Sequence, residues 1–164
     1  MGLHMGSGVG VAVPGEQLFV SLAIGTGMAS TTVLVHFWGL LLLTWIMNRQ
    51  GYRLRPHVNH LHRAAVILVV VLGIFALHSA EIWLYAALYL ALGEMRHFEE
   101  ALYFSTAAFA TIGFGDVVMS PRWRLISVIE GANGWILFAW STAFLIGVTT
   151  RMRVLEHDWL DRRE

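Results

Sequence analysis

The chain contains no cysteine, so disulfides take no part in its stability and its redox compartment leaves no mark on it. Lysine is also missing: all eleven basic residues are arginine, a bias from which nothing mechanistic follows. Charge of any kind is scarce, at 13% of residues, and eleven acidic side chains balance the eleven basic ones. A net charge of zero argues against a nucleic-acid surface. No segment carries arginine at every third position, which excludes an arginine-ladder voltage sensor. Residues 1–15 are rich in glycine and small side chains and offer no basic residue ahead of the first apolar run, so they make a poor signal peptide. What remains is apolar: 57% of the residues are hydrophobic and the mean hydropathy is +0.62. A soluble domain of this length is rarely so greasy, and a membrane protein is expected.

Three long apolar segments divide the chain. The first, 17–47, covers about 31 residues and exceeds a ~30 Å hydrocarbon core, so it tilts or protrudes. Its first half is dilute, with Gly25, Thr26, Gly27, Ser30, Thr31 and Thr32, and Trp45 sits near its end where an aromatic belt belongs. Residues 48–63 form a basic loop with Arg49, Arg53, Arg55 and Arg63 and no acid, which the positive-inside rule places in the cytoplasm. A second span is expected over 64–92 and a third over 124–150, the latter followed by Arg151 and Arg153. The stretch 93–100 holds Glu94, Glu99 and Glu100 against Arg96 and reads as an outer loop. Arg96, Arg122 and Arg124 on that side weaken the arginine asymmetry without reversing it. Between the second and third spans, 101–110 is too short to cross a bilayer and suits a re-entrant half-helix.

That half-helix runs into Thr111-Ile112-Gly113-Phe114-Gly115-Asp116. A Thr-x-Gly-aromatic-Gly run lets the backbone extend with its carbonyls turned to one side, because glycines at 113 and 115 accept dihedrals that other residues adopt only under strain. Rings of such carbonyls replace the water shell of a K+ ion. The motif alone is short. Its position after a span and a half-helix, and before another span, gives it weight.

Over residues 64–152 the chain resembles the pore domain of the potassium channel superfamily, and its six-residue motif is most similar to filters of the tandem-pore potassium channels. The resemblance implies an all-α membrane protein of three transmembrane helices plus a re-entrant pore helix and selectivity filter. One pore loop per chain then implies a homotetramer, since a filter needs four. It further implies K+ sites at the carbonyls of Thr111, Ile112, Gly113 and Phe114, with Gly115 closing the outer turn. Asp116 becomes the acidic residue of the outer mouth, and Tyr103 and Phe104 the aromatic support of the pore helix. The negative end of the pore-helix dipole favours a cation in the cavity below. Two departures stand out: Ala110 replaces the threonine many channels carry before the filter, and Ala107 replaces a glutamate found behind it in some.

Two acids, Glu81 and Glu130, lie inside apolar segments, where carboxylates are costly enough to be functional candidates. Glu130 has the depth to brace the filter in place of the acid missing at Ala107. His78 and Glu81 are spaced i, i+3 and share a helix face, either as a packing pair or as a group that couples protons to the filter. Gly134 stands near the family's inner-helix hinge, though close helix packing also selects glycine there, as at Gly131 and Gly147. Ser141 and Thr142 are candidates to line the cavity. His57, His60 and His62 cluster in the basic loop, where solvated imidazoles are favoured over a metal site.

The expected domain layout is a flexible N-terminus 1–16, an extra transmembrane helix 17–47, the loop 48–63, the pore domain 64–152 and a tail 153–164, too short for a nucleotide- or calcium-binding domain. The expected function is passive K+ conduction, with no enzymatic activity and no cofactor beyond the permeant K+. The partners are the bilayer and three further copies of the chain. The N-terminus lies outside and the C-terminus in the cytoplasm, in a bacterial inner membrane. The alternatives are a weakly selective cation channel and a non-conducting membrane sensor of metal or haem.

Overall fold

A computed structural model describes residues 15–49 and 60–151. The expected flexible start, the central part of the basic loop with His57, and the tail lie outside the described residues, as do the side chains of His60 and His62. The described chain is entirely helical: α1 spans Gly15–Arg49, α2 His60–Ala91, α3 Phe98–Phe109 and α4 Arg124–Arg151. Three of these, α1, α2 and α4, are long and apolar enough to cross a membrane. The short α3 sits between two of them.

Helices α1 and α2 extend a few residues past the apolar segments read from the sequence, at Gly15 and Arg49 and back to His60. Intrahelical hydrogen bonds do not stop where hydrocarbon ends, and no proline interrupts the added turns themselves. After α2, Gly93 takes a positive φ of 71° and turns the chain toward α3. Glu94 fixes the far side of that turn. Its carboxylate accepts the backbone N–H of Ser120 at 2.9 Å and the Ser120 hydroxyl at 2.8 Å, tying the entry of α3 to the loop that follows the 111–116 motif.

The core lies around Tyr85, Tyr89, Ala101, Met119, Trp123 and Ile126, where α2, α3 and the head of α4 meet. In hydrocarbon no hydrophobic drive brings helices together, so close packing and polar contacts must. Both occur between α1 and α2. A Cβ on Gly39 would strike the side chain of Leu77, and one on Gly73 would strike that of Leu43, so each glycine is the socket for a leucine of the other helix. Gly25 likewise faces Ile129 of α4, whose Cδ1 would lie 2.6 Å from an added Cβ.

The start of α1 lies beside the start of α4: Gln17 and Ser21 donate hydrogen bonds to the Arg122 carbonyl at 3.3 and 3.1 Å. Arg49, Arg63 and Arg151 therefore gather at the opposite end, since the three long helices alternate in direction.

Candidate ion-conduction site

Pore helix α3 ends at Phe109, and the chain turns through Ala110 into the six-residue motif. The end of α3 has orphan carbonyls to satisfy, and the motif supplies the donors. Thr111 N–H reaches the Ala108 carbonyl at 3.0 Å, and Ile112 N–H and Gly113 N–H share the Ala107 carbonyl at 2.8 and 3.3 Å. The first three amides of the motif thus point back into the helix end. Their carbonyls are left for the opposite side.

The dihedrals carry the same message. Thr111, Gly113 and Gly115 have positive φ values of 56°, 53° and 80°, whereas Ile112 and Phe114 do not. Alternation between left- and right-handed residues gathers successive N–H groups on one side of a strand, as in an anion-binding nest. It necessarily gathers the carbonyl oxygens on the other. Thr111 is the single non-glycine among the described residues at positive φ, a conformation that costs a side-chain-bearing residue roughly 1–2 kcal/mol. Strain of this kind persists only where surrounding structure imposes it; here the three amide bonds to α3 do so.

All six motif residues, Thr111 through Asp116, are exposed on the single chain, including Ile112 and the 68%-exposed ring of Phe114. A groove of about 460 Å³ runs along them, lined among others by Tyr103, Ala107, Asp116 and Gly131. Below, toward the far end of the bundle, a second hollow of about 330 Å³ is bounded by Ala110, Thr111, Trp135, Phe138, Ala139 and Thr142. Thr142 therefore lines this hollow and Ser141 does not; Ser141 turns into the bundle and is buried.

Tyr103 stacks on Phe114 at 6.4 Å with ring planes 14° apart, and its hydroxyl donates to Asp116 Oδ2 at 2.7 Å. The partner is thus the motif of its own chain. That hydrogen bond holds the Asp116 carboxyl below the ordinary aspartate range, because it stabilises the ionised form. Phe104 faces the other way and packs edge-to-face on Tyr89 in the core at 5.4 Å.

Glu130 is fully buried behind α3. It takes a hydrogen bond from the Tyr89 hydroxyl on α2 and lies 2.5 Å from the Ser105 hydroxyl on α3. Ser105 is also 3.0 Å from the Ile82 carbonyl. The Ser105 hydroxyl donates to Glu130 Oε1 and shares its proton with the Ile82 carbonyl, so Glu130 accepts from both α2 and α3. The acid then clamps the pore helix between α2 and α4. Gly134 packs beneath the same helix: a Cβ there would fall on the Phe109 carbonyl oxygen, with the carbonyl carbon 3.1 Å away.

His78 and Glu81 are joined directly, at 2.8 Å. Sequence reading missed their third partner, His36 of α1, also 2.8 Å from Glu81. The signal available was a lone histidine in the middle of an apolar helix. These three residues bring potential metal-ligand atoms within 4.8 Å of one another. Yet the N···O separations of 2.8 Å are hydrogen-bond lengths, below the edge of about 3.3 Å that tetrahedral N and O ligands keep around a metal at ~2.0–2.1 Å.

Residues 77–151 match an ion-channel family, described as ion channel. No curated protein and no solved structure matches the chain. The matched stretch takes in the C-terminal part of α2, all of α3, the motif and the whole of α4. The segment 77–151 is thus similar to an ion-channel domain, and it belongs to an integral membrane protein with three helices able to span a bilayer.

Proposed function

We propose that the protein is a K+-selective channel whose filter is assembled from four copies of the chain. The observation that carries this reading is the alternating sign of φ from Thr111 to Gly115, together with amides turned back into α3. This backbone offers a row of carbonyl oxygens on one side, which is the ligand set that replaces the hydration shell of K+. A single row cannot surround an ion. The motif's exposure on one chain and the apolar side chains left bare beside it, Val118, Val128, Trp135 and Ile136 among them, support closure by neighbours around a four-fold axis.

In this reading the carbonyls of Thr111, Ile112, Gly113 and Phe114 bind the permeant ion, and Asp116 concentrates cations at the mouth. The hollow beside Thr142 becomes the cavity below the filter. The arginine-rich end of the bundle faces the cytoplasm and the start of α1 lies outside, as the positive-inside rule directs. A bacterial inner membrane suits that arrangement.

The test is K+ and Na+ flux from liposomes holding wild-type protein or Gly113→Asp. Space is not the obstacle at Gly113, since nothing lies within 4 Å of an added Cβ, whereas its φ of 53° is. K+ preference in the wild type, lost in the variant, is the expected result. Equal K+ and Na+ flux through wild-type protein would make it a weakly selective cation channel instead.

A further inference from the structure

At mid-bundle His36, His78, Glu81 and Ser141 close a ring of four hydrogen-bond contacts. Each imidazole Nδ1 lies 2.8 Å from a different oxygen of the Glu81 carboxylate. Each Nε2 faces the Ser141 hydroxyl, at 3.3 Å from His36 and 3.0 Å from His78. Three helices contribute, and all four residues are buried, at 0%, 7%, 0% and 5% exposure. The walls are aromatic: Trp140 against His36 at 5.3 Å, and Phe138 and Phe109 against His78 at 4.7 and 5.8 Å.

Four hydrogen bonds need four protons. An ionised Glu81, two neutral imidazoles and the serine hydroxyl bring three. With three, one Nε2 would present its lone pair to an oxygen that has already given its proton to the other ring. The buried ring would also carry a net negative charge, which is strongly disfavoured in hydrocarbon. One further proton repairs both faults. It resides on an imidazole, giving an imidazolium–carboxylate pair, or on Glu81, which then donates to one Nδ1. Either placement is neutral and keeps all four bonds, and the two differ by a shift across one 2.8 Å contact. A fifth proton undoes the balance, since it makes the ring positive and leaves a donor without an acceptor.

We propose that His36, His78, Glu81 and Ser141 form an intramembrane proton-binding site, and that its bound proton fastens the extra helix α1 to the pore-forming helices. Among the described residues, the other charged groups of the long helices stand at helix ends, Arg63, Arg124 and Arg151 included, or are engaged elsewhere. On α1, Glu16 and Arg49 stand at the two ends. On α2, the remaining internal groups are Tyr85, which receives Asn133 at 3.4 Å, and Tyr89, held by Glu130. Helix α3 presents only Phe109 to the ring, and its Glu99 and Glu100 lie in its first turn. On α4, Glu130 is the one internal acid and is engaged with Ser105 and Tyr89. The ring also touches the conduction path: Phe138, packed on His78, lines the hollow below Thr111.

Glu81→Gln separates the stored proton from the fold. A glutamine accepts from one Nδ1–H and donates to the other Nδ1, so four hydrogen bonds persist with every member neutral and no extra proton. Reversible unfolding in detergent from pH 7 to 9 reads the difference. A folded state that holds one proton more than the unfolded chain loses stability as pH rises, by tenfold in the folding equilibrium per pH unit. The wild type should show that extra tenfold loss relative to Glu81→Gln. Isotope-edited NMR in bilayers at pH 8 should find a charged imidazole or a protonated Glu81 in the wild type, and neither in the variant. Identical pH slopes, an ionised Glu81 between two neutral imidazoles, or a stoichiometric divalent metal released by Glu81→Gln would each overturn the proposal. None of these readouts depends on K+ flux, so they stand whether or not the pore is K+-selective.

Discussion

Replacing Gly134 by alanine adds one methyl group at the place where α4 supports the end of the pore helix. The new Cβ would fall on the Phe109 carbonyl oxygen, with the carbonyl carbon at 3.1 Å and the ring at 3.2 Å, where real Cβ contacts essentially never come within 3.0 Å. A backbone carbonyl at a helix end cannot rotate aside as a long side chain can, so α3 and α4 must separate by something on the order of 1 Å. Overpacking of this kind costs about 1–3 kcal/mol, or roughly 5- to 150-fold in the folding equilibrium. The displacement is delivered one residue before the turn into the filter. Gly147, on the same helix with nothing within 4 Å, is the control. Alanine there should be neutral or stabilise by up to ~1 kcal/mol through helix propensity. The propensity gain is common to both variants and cancels, so they should differ by the overpacking cost, roughly 1–3 kcal/mol in unfolding free energy, and only Gly134→Ala should degrade K+ over Na+ preference. A hinge without close packing predicts otherwise: normal stability and selectivity with altered opening. If the two variants unfold alike and conduct with wild-type selectivity, the packing explanation for Gly134 is wrong.

Other perturbations follow from the same contacts. Glu130→Gln keeps an oxygen that can accept from Tyr89 while Ser105 falls back on the Ile82 carbonyl, so it should stay within about 1 kcal/mol of wild type, whereas Glu130→Ala strands the buried Tyr89 hydroxyl and should cost about 1–3 kcal/mol more; equal losses in a denaturation assay would refute the Tyr89–Glu130 clamp. At the mouth, Tyr103 holds the Asp116 carboxyl below its usual range by donating a hydrogen bond to the ionised form. The mouth should therefore keep its negative charge to a lower pH in wild type than in Tyr103→Phe, and cation flux should fall at a higher pH in the variant as acid is added. An unshifted acid limb would show that this hydrogen bond does not act on conduction.

The parts legible in the sequence were those whose physics is local. Apolar length marks α1, α2 and α4, and the shortness of α3 follows from the same count. The motif at 111–116 announces itself because alternating dihedrals demand glycine at 113 and 115, although nothing in the residue type of Thr111 foretold its left-handed φ of 56°. His78 and Glu81 were paired from their spacing. Partners distant in the chain were not legible: His36 lies 45 positions from Glu81, and Ser105 lies 25 from Glu130. For Tyr103, the sequence offered a supporting role without naming a partner, and the structure joins its hydroxyl to Asp116, 13 positions away.

The dilute first half of helix α1 has its reason in what that helix buries. Ser21, Gly25, Thr32, His36 and Leu40 are its buried residues, and they return at intervals of about one or two turns on a single face. Three of them reach polar partners at three depths: Ser21 the Arg122 carbonyl, Thr32 the Asn133 amide at 2.7 Å, and His36 the Glu81 carboxylate. A helix held to its neighbours by leucines alone could slide or rotate in lipid at little cost, because lipid tails are as apolar as the side chains they replace. Slipping α1 by one turn, ~5.4 Å, would break all three contacts together and lift Leu77 and Leu43 from the sockets at Gly39 and Gly73. One register therefore satisfies every buried polar group of α1. Held at three depths, α1 is built into the bundle with α2 and α4 rather than lying beside it as a separate lipid anchor.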